Sequence, residues 1–244
     1  MKINIKRFNK NYDLASKKVE YDVNKTNLLQ SLFEIKTKID TTLTFRCGCK
    51  SGVCGSCAVR VNGVEKLACK TTIEENDVVE AISNTSIIRD LVVDVSHETL
   101  LLKNSKTFIE ENSTNNITQK DIQLIDVQSN CILCSSCHSS CPVYSVNKDF
   151  LGPFALSRAL RYVNDKKIHS GSKIIDSIQD NGIWDCTLCS ACTLVCPQNI
   201  DPKNDIMQLQ NISVQHGYEN PNMKAFDSNM GFDMSDMGFD PNSF

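Results

Sequence analysis

Cysteine is the residue type in this chain with the clearest chemical potential, since twelve of the thirteen cysteines fall into three groups of four. The first group has the spacing C-x4-C-x2-C-x11-C, and the other two both have the spacing C-x2-C-x2-C-x3-C-P. These spacings are typical of 2Fe-2S proteins and of two-cluster 4Fe-4S ferredoxins. We therefore expect three iron-sulfur clusters and a role in electron transfer. The groups are Cys49, Cys54, Cys57 and Cys69; Cys131, Cys134, Cys137 and Cys141; and Cys186, Cys189, Cys192 and Cys196.

Disulfides and zinc fit these groups less well. A disulfide framework requires an oxidising compartment and pairs its cysteines, whereas the count here is odd and residues 1–10 lack the apolar core of a signal peptide. Structural zinc typically uses two C-x2-C pairs separated by a loop. Because a C-x2-C-x2-C run followed by Cys-Pro occurs twice, we favour clusters over zinc.

The two repeated motifs, residues 131–141 and 186–196, are expected to exchange one ligand each. In two-cluster ferredoxins the cysteine before the proline binds the other cluster. The predicted ligands are Cys49, Cys54, Cys57 and Cys69 for 2Fe-2S (the 2Fe-2S group); Cys131, Cys134, Cys137 and Cys196 for one 4Fe-4S (the first cubane group); and Cys141, Cys186, Cys189 and Cys192 for the other (the second cubane group). Neither motif should then fold around its cluster alone.

Four residues near these ligands need separate interpretations. Gly52 and Gly55 allow backbone N–H groups to turn toward cluster sulfides. Cys47 has no partner left in the count, and we expect it to be a small packing residue rather than an alternative ligand. His138 lies between two ligands, where a solvated loop histidine is favoured over a hydrogen-bond donor to a cluster.

Composition limits the remaining function classes. The chain has 244 residues, 41% of them hydrophobic, which suits two small domains with their own cores. Its net charge is −3, and no basic field suggests nucleic acid as a partner. No apolar run approaches the roughly 20 residues that cross a bilayer, so we expect no direct membrane span and any membrane association to come through a partner.

The elements that position the first four cysteines are predicted to be strands and one helix. Residues 2–8 and 17–23 alternate apolar and polar side chains, as half-buried strands do. Thr26 or Asn27 can cap a helix that follows them. Asn62 and Gly63 predict a type I′ turn between residues 58–61 and 64–68, which returns Cys69 to the cluster loop.

Helices are predicted beyond a polar connection at residues 103–121. One should begin at Gly152-Pro153, and a second should span Lys203–His216 and end at Gly217. The last 28 residues repeat MGFD and cannot form a core, which predicts a disordered tail or a segment that docks on a partner.

Five segments of the chain resemble the iron-sulfur subunits of succinate dehydrogenases and fumarate reductases. They are CKSGVCGSCAVRVNGVEKLACKT, SIIRDLVVDVS, CILCSSCHSSCPVY, FLGPFALSRALRYVND and CTLCSACTLVCPQNIDP. The resemblance implies an α+β chain: a β-grasp 2Fe-2S ferredoxin domain (1–102), a linker (103–121), an α-helical domain with two 4Fe-4S clusters (122–216) and a tail (217–244). It also implies two partners, a FAD-containing flavoprotein that interconverts succinate and fumarate and a membrane-associated subunit that reacts with quinone.

The chain departs from most of that family at three positions. Cys189 completes the second motif, where most members lack this cysteine and hold a 3Fe-4S cluster. Val146 and Thr187 stand where the common family has a tryptophan and a histidine that line the quinone site, and Trp184 is offset and expected to be a packing residue. These departures resemble the branch whose membrane partner is a cysteine-rich, heterodisulfide-reductase-like subunit, which includes methylmenaquinol:fumarate reductases.

Two alternative functions stay open from the sequence. A free-standing multi-cluster carrier would use the same clusters, and a thiol-linked fumarate reductase would use a related subunit. The expected location is the cytoplasm, peripherally attached to a membrane through partners. Export of the folded complex on a partner's twin-arginine signal is the alternative location.

Overall fold

The computed structural model describes residues 1–109 and 113–221 and divides them between a mixed sheet and a set of helices. Both MGFD repeats, and most of the predicted tail, lie outside the described residues. The strands are β1 (Lys2–Arg7), β2 (Lys17–Asp22), β3 (Ala58–Val61), β4 (Val64–Leu67), β5 (Val78–Glu80), β6 (Ile87–Arg89) and β7 (Val92–Val93). The α-helices are α1 (Leu28–Glu34), α2 (Ser96–Asn104), α3 (Gln119–Gln123), α4 (Asp126–Ser129), α5 (Ser136–Ser139), α6 (Pro142–Val146), α7 (Gly152–Val163), α8 (Ser172–Ser177), α9 (Ala191–Leu194) and α10 (Pro202–Gln215).

The five-stranded sheet has the order β2-β1-β5-β3-β4. β1 and β2 form the predicted antiparallel hairpin, and Ile3 and Ile5 are fully buried on its inner face. The Asn27 side chain caps α1 by accepting a hydrogen bond from the Gln30 N–H. α1 continues as one π-helical turn, Ile35–Ile39, and buries its apolar face on the sheet.

The β3–β4 hairpin turns as its sequence predicts. Asn62 and Gly63 both have positive φ values, 51° and 83°, as a type I′ turn requires. The Ala68 N–H donates to the Cys57 carbonyl at 3.0 Å, which holds the end of this hairpin beside the cluster loop. The hairpin therefore returns Cys69 to the vicinity of Cys57.

α7 is the centre of the helical core. It begins at Gly152, as predicted, and its Leu156, Ala159 and Leu160 are fully buried. α10 packs against it, is capped by Asp201 and ends before Gly217, whose φ is 88°. No helix in residues 1–109 and 113–221 is long and apolar enough to cross a membrane.

α2 joins the two cores. Its Leu101 is 1% exposed and packs with the residues of α7, although α2 follows the sheet in the sequence. Burial of one side chain in the other core couples the two packing units. The domain limits at residues 102 and 121 remain predictions.

Candidate iron-sulfur cluster sites

The exposed half of the 2Fe-2S group is a loop that surrounds sulfur with N–H donors. The N–H groups of Ser51, Val53 and Cys54 lie 3.4, 3.3 and 3.3 Å from the Cys49 Sγ. Hydrogen bonds from the Ser51 side chain and from the backbone of Ser51 and Val53 lower the pKa of Cys49 to about 5. Because the thiolate is the form that binds metal, this loop prepares Cys49 as a ligand.

The inner half of the same group lies against the sheet. Cys57 is buried and Cys69 is partly buried, whereas Cys49 and Cys54 are exposed. Burial raises the pKa of Cys57 to about 11; a hydrogen bond from the Cys69 backbone opposes the shift, and the Cys69 thiol adds to it. Iron binding would deprotonate such a thiol outright, so the raised pKa does not oppose its role as a ligand.

The two repeated motifs have the same backbone conformation. Leu133 and Leu188 have φ values of 50° and 53°, and Ser135 and Ser190 have values of 65° and 68°. Each serine is followed by a one-turn helix, α5 or α9. A left-handed conformation costs a non-glycine residue about 1–2 kcal/mol, and alternating left- and right-handed residues turn N–H groups toward an anionic centre. The loops therefore fit the cubane clusters that the spacing predicts.

The structure places Cys196, from the later motif, on the same cavity as the first three cysteines of the earlier motif. Burial is the main cause that raises the pKa of Cys131, and the charges of Cys134 and Cys196 add to it. An almost wholly apolar cavity is lined by Cys131, Cys134, Cys137 and Cys196, together with Phe154 and Ile200. The assignment of these four thiols to one cluster stays a prediction, but all four face one space.

The second cubane group is assembled in the same way. Burial raises the pKa of Cys192 to about 12, and Cys186 and Cys141 add to the shift. Cys189 is exposed, and its charge contributes to the raised pKa of Cys141. Cys141 thus lies with the thiols of the later motif rather than with those of its own.

The 2Fe-2S group, the first cubane group and the second cubane group lie next to one another in that order. A Cβ added at Gly55 would stand 2.8 Å from the Ile132 carbonyl oxygen and 2.9 Å from the Cys134 Cβ, so the 2Fe-2S loop touches the first cubane loop. The helix α5, which contains Cys137, packs against α9, which contains Cys192, so the two cubane loops lie side by side. The sites therefore form a continuous series.

Hydrogen bonds from the sheet hold the first cubane motif. The Asn84 Nδ2 lies 3.1, 3.0 and 3.3 Å from the carbonyl oxygens of His138, Ser139 and Cys141. The Ser139 hydroxyl donates to the Glu65 Oε1 at 2.6 Å and accepts from the Ser83 N–H at 2.7 Å. These contacts fix the segment that leads to Cys141, the ligand predicted to be exchanged.

Two expectations near the ligands are wrong. Cys47 is exposed, so it is not a buried packing residue. His138 is fully buried rather than solvated: its ring packs between Tyr144 and Phe154, and neither ring nitrogen has a partner among the described residues. Burial lowers the pKa of His138 to about 3.

The positions that depart from the common family lie on the surface near the second cubane group. Val146 is 85% exposed, and Thr187 is exposed next to Cys186. Trp184 is buried, and its Nε1 donates to the Gln179 Oε1 at 2.9 Å, as expected of a packing residue.

Sequence and structure comparisons agree with this architecture. Residues 2–99 match the 2Fe-2S iron-sulfur cluster binding domain family, and residues 127–200 match the 4Fe-4S dicluster domain family. A solved structure of the Mycobacterium smegmatis Sdh1 complex in the apo form contains a chain with the same fold, with a TM-score of 0.75 at 22% identity over 90% of this chain and 98% of that one.

Curated relatives extend over most of the sequence. The fumarate reductase iron-sulfur subunit of Escherichia coli O6:H1 is 36% identical over 221 residues, which cover 85% of this chain and 91% of the relative. The 8-methylmenaquinol:fumarate reductase iron-sulfur subunit of Wolinella succinogenes is 34% identical over 237 residues, which cover 89% of this chain and 74% of the relative. With its 2Fe-2S and 4Fe-4S regions in the same order, the chain belongs to the iron-sulfur subunits of the fumarate reductase and succinate dehydrogenase family.

Proposed function

We propose that this chain relays electrons between a FAD-containing flavoprotein, which interconverts succinate and fumarate, and a membrane-associated subunit that reacts with quinone. The observation that supports this proposal is the continuous series of three thiol groups, in which Gly55 lies against Cys134 and α5 packs against α9. A series of this kind gives an electron a path through the chain. FAD and quinone belong to the partner subunits.

The proposed ligands are the twelve cysteines of the 2Fe-2S group and the two cubane groups, within domains at residues 1–102 and 122–216. Each cluster, when bound, accepts and releases one electron. The chain's own groups hold these centres in place: N–H donors surround the Cys49 sulfur, and Asn84 and Glu65 fix the first cubane motif. Apolar side chains such as Phe154 keep water from the first cubane cavity.

The membrane-side partner is proposed to be cysteine-rich. Cys189 completes the ligand set of the second cubane group, and Val146 and Thr187 lack the aromatic and imidazole groups of the common quinone site. An electron from this group then passes to the partner rather than to a quinone bound on this chain. The proposed location is the cytoplasmic side of a membrane, through partners, with twin-arginine export as the alternative.

Metal content and co-purifying subunits test the proposal. One 2Fe-2S and two 4Fe-4S clusters, the types that these spacings indicate, together hold about 10 iron atoms per chain. Anaerobically purified protein should be brown, contain this iron and no stoichiometric zinc, and retain a flavoprotein. Colourless protein with zinc would end the relay proposal, because thiolate zinc sites are colourless. A stable iron-loaded monomer would favour the free-standing carrier.

A further inference from the structure

A buried carboxylate lies where the 2Fe-2S loop meets the first cubane motif. Glu98, in the first turn of α2, is 9% exposed, and its Oε2 accepts a 2.5 Å hydrogen bond from the Ser135 hydroxyl. Its Oε1 has no hydrogen-bond partner among the described residues. We propose that Glu98, acting through Ser135, sets the redox potential of the cluster in the first cubane group. This inference rests on the proposed function, and it makes Glu98 a positioning residue for electron relay.

The surroundings of Glu98 place its charge beside two of the proposed clusters. Its side chain lines the same cavity as Cys54 and Gly55 of the 2Fe-2S loop and Cys134 of the first cubane group. Ser135, its hydrogen-bond donor, directly follows Cys134 in the sequence. Because Glu98 is itself buried, its charge acts on a cluster over a short path on which electrostatic interactions are stronger than in bulk water.

Few charges oppose that of Glu98. Arg46 lines the same cavity, and His97 on the same helix favours the ionised carboxyl when it is charged. Burial is the main cause that raises the pKa of Glu98, and the Ser135 hydrogen bond opposes the shift. The recess on its other side is polar, and its titratable groups besides Glu98 and His97 are Asp94, Tyr144 and Lys148.

The second motif offers an internal comparison. Ser190 has the same left-handed φ as Ser135, 68° against 65°, but it is half-buried and no carboxylate in residues 1–109 and 113–221 hydrogen-bonds its hydroxyl. The carboxylate therefore distinguishes the first cubane group from the second. A negative charge near a cluster disfavours the added electron, and the potential of a cluster depends on such charges and on hydrogen bonding around it. Glu98 should hold the potential of the first cubane cluster down.

The test uses the intact complex and paramagnetic resonance at a series of applied potentials. In Glu98→Gln at pH 8, the reduction equilibrium of the first cubane cluster should shift about tenfold toward the reduced form, about 59 mV for one electron. The second cubane cluster should keep its potential, and the 2Fe-2S cluster, whose loop shares the cavity without the link through Ser135, should shift less. Glu98→Asp, which retains the charge, should stay close to wild type.

Matched variants keep the proposal refutable. Ser135→Ala should shift the potential of the first cubane cluster alone. This variant takes the place of Glu98→Gln in the test if Glu98→Gln does not assemble. As the control, Ser190→Ala should leave the potential of the first cubane cluster unchanged. Full iron content with no shift in Glu98→Gln, or an equal shift of all three clusters, would overturn the role of Glu98 while leaving the relay intact. Wild-type protein that lacks the first cubane cluster would overturn the ligand assignment and this inference with it.

Discussion

Gly55 is the point at which two cluster loops meet, and a single added methyl group tests that contact. Its φ is +70°, and a Cβ there would stand 2.8 Å from the Ile132 carbonyl oxygen and 2.9 Å from the Cys134 Cβ. Gly55→Ala therefore combines backbone strain with overpacking. The left-handed conformation costs alanine about 1–2 kcal/mol, and the inserted methyl group costs about 1–3 kcal/mol more.

Gly63 provides the control for strain without crowding. Its φ is +83°, yet the nearest atom to an added Cβ is the Arg60 Nη2 at 3.7 Å, an ordinary contact distance. Gly63→Ala should therefore cost only the strain, about 1–2 kcal/mol. In a chain of this size 1 kcal/mol lowers the melting midpoint by about 2–4 °C, so the crowding of about 1–3 kcal/mol should make Gly55→Ala melt roughly 2–12 °C below Gly63→Ala.

The melting midpoints of both variants are measured in the iron-loaded complex, at one scan rate, from the loss of cluster absorbance on heating. Rapid-freeze paramagnetic resonance adds the rate at which an electron leaves the 2Fe-2S cluster, which should fall only in Gly55→Ala because only that methyl group separates the two loops. Equal melting midpoints and equal rates in the two variants would refute the contact. They would mean that Gly55 is retained for its backbone conformation alone.

Three further predictions concern single side chains. Cys189→Ser should convert the second cubane cluster to 3Fe-4S, detected as a new signal in the oxidised variant; an unchanged spectrum would remove Cys189 as a ligand. Val146→Ala and Thr187→Ser should leave the quinone Michaelis constant of the complex unchanged, because neither supplies a group of the common quinone site, and a marked rise would contradict the proposed partner arrangement. Asn84→Ala should destabilise the chain by about 1–3 kcal/mol, since it removes the donor that three carbonyl oxygens share; hydrogen exchange at residues 138–141 as slow as in wild type would argue against this role.

Local sequence patterns predict those structural features that depend only on neighbouring residues. Asn62 and Gly63 specify their turn through backbone conformation alone, and Asn27 caps α1 with its own side chain. α7 shows helical spacing of apolar residues, which identifies its buried face. Each of these features requires only residues a few positions apart, so the sequence predicts it.

The sequence patterns do not predict structural features that depend on residues far apart in the chain. α2 was not predicted because its leucines, residues 100–102, are consecutive rather than at helical spacing, and Leu101 finds its place only in the core around α7. The burial of His138 requires Tyr144, Phe154 and the close approach of Gly152, whose added Cβ would stand 2.6 Å from the ring. Glu98 likewise has no local pattern, since its partner Ser135 is 37 residues away.

The proposed exchange of ligands would make loading of the clusters inseparable from docking of the two packing units. Asn84 and Ser83, which follow the sheet, bind the segment His138–Cys141, and Cys141 is the thiol proposed to cross to the second cubane group. In sites that are not preformed in the unfolded chain, the free energy of metal binding is also free energy of folding. With Cys141 as a ligand, iron bound at the second cubane group would stabilise the contact between the sheet and the helices, even though the sheet carries the 2Fe-2S group at the other end of the series.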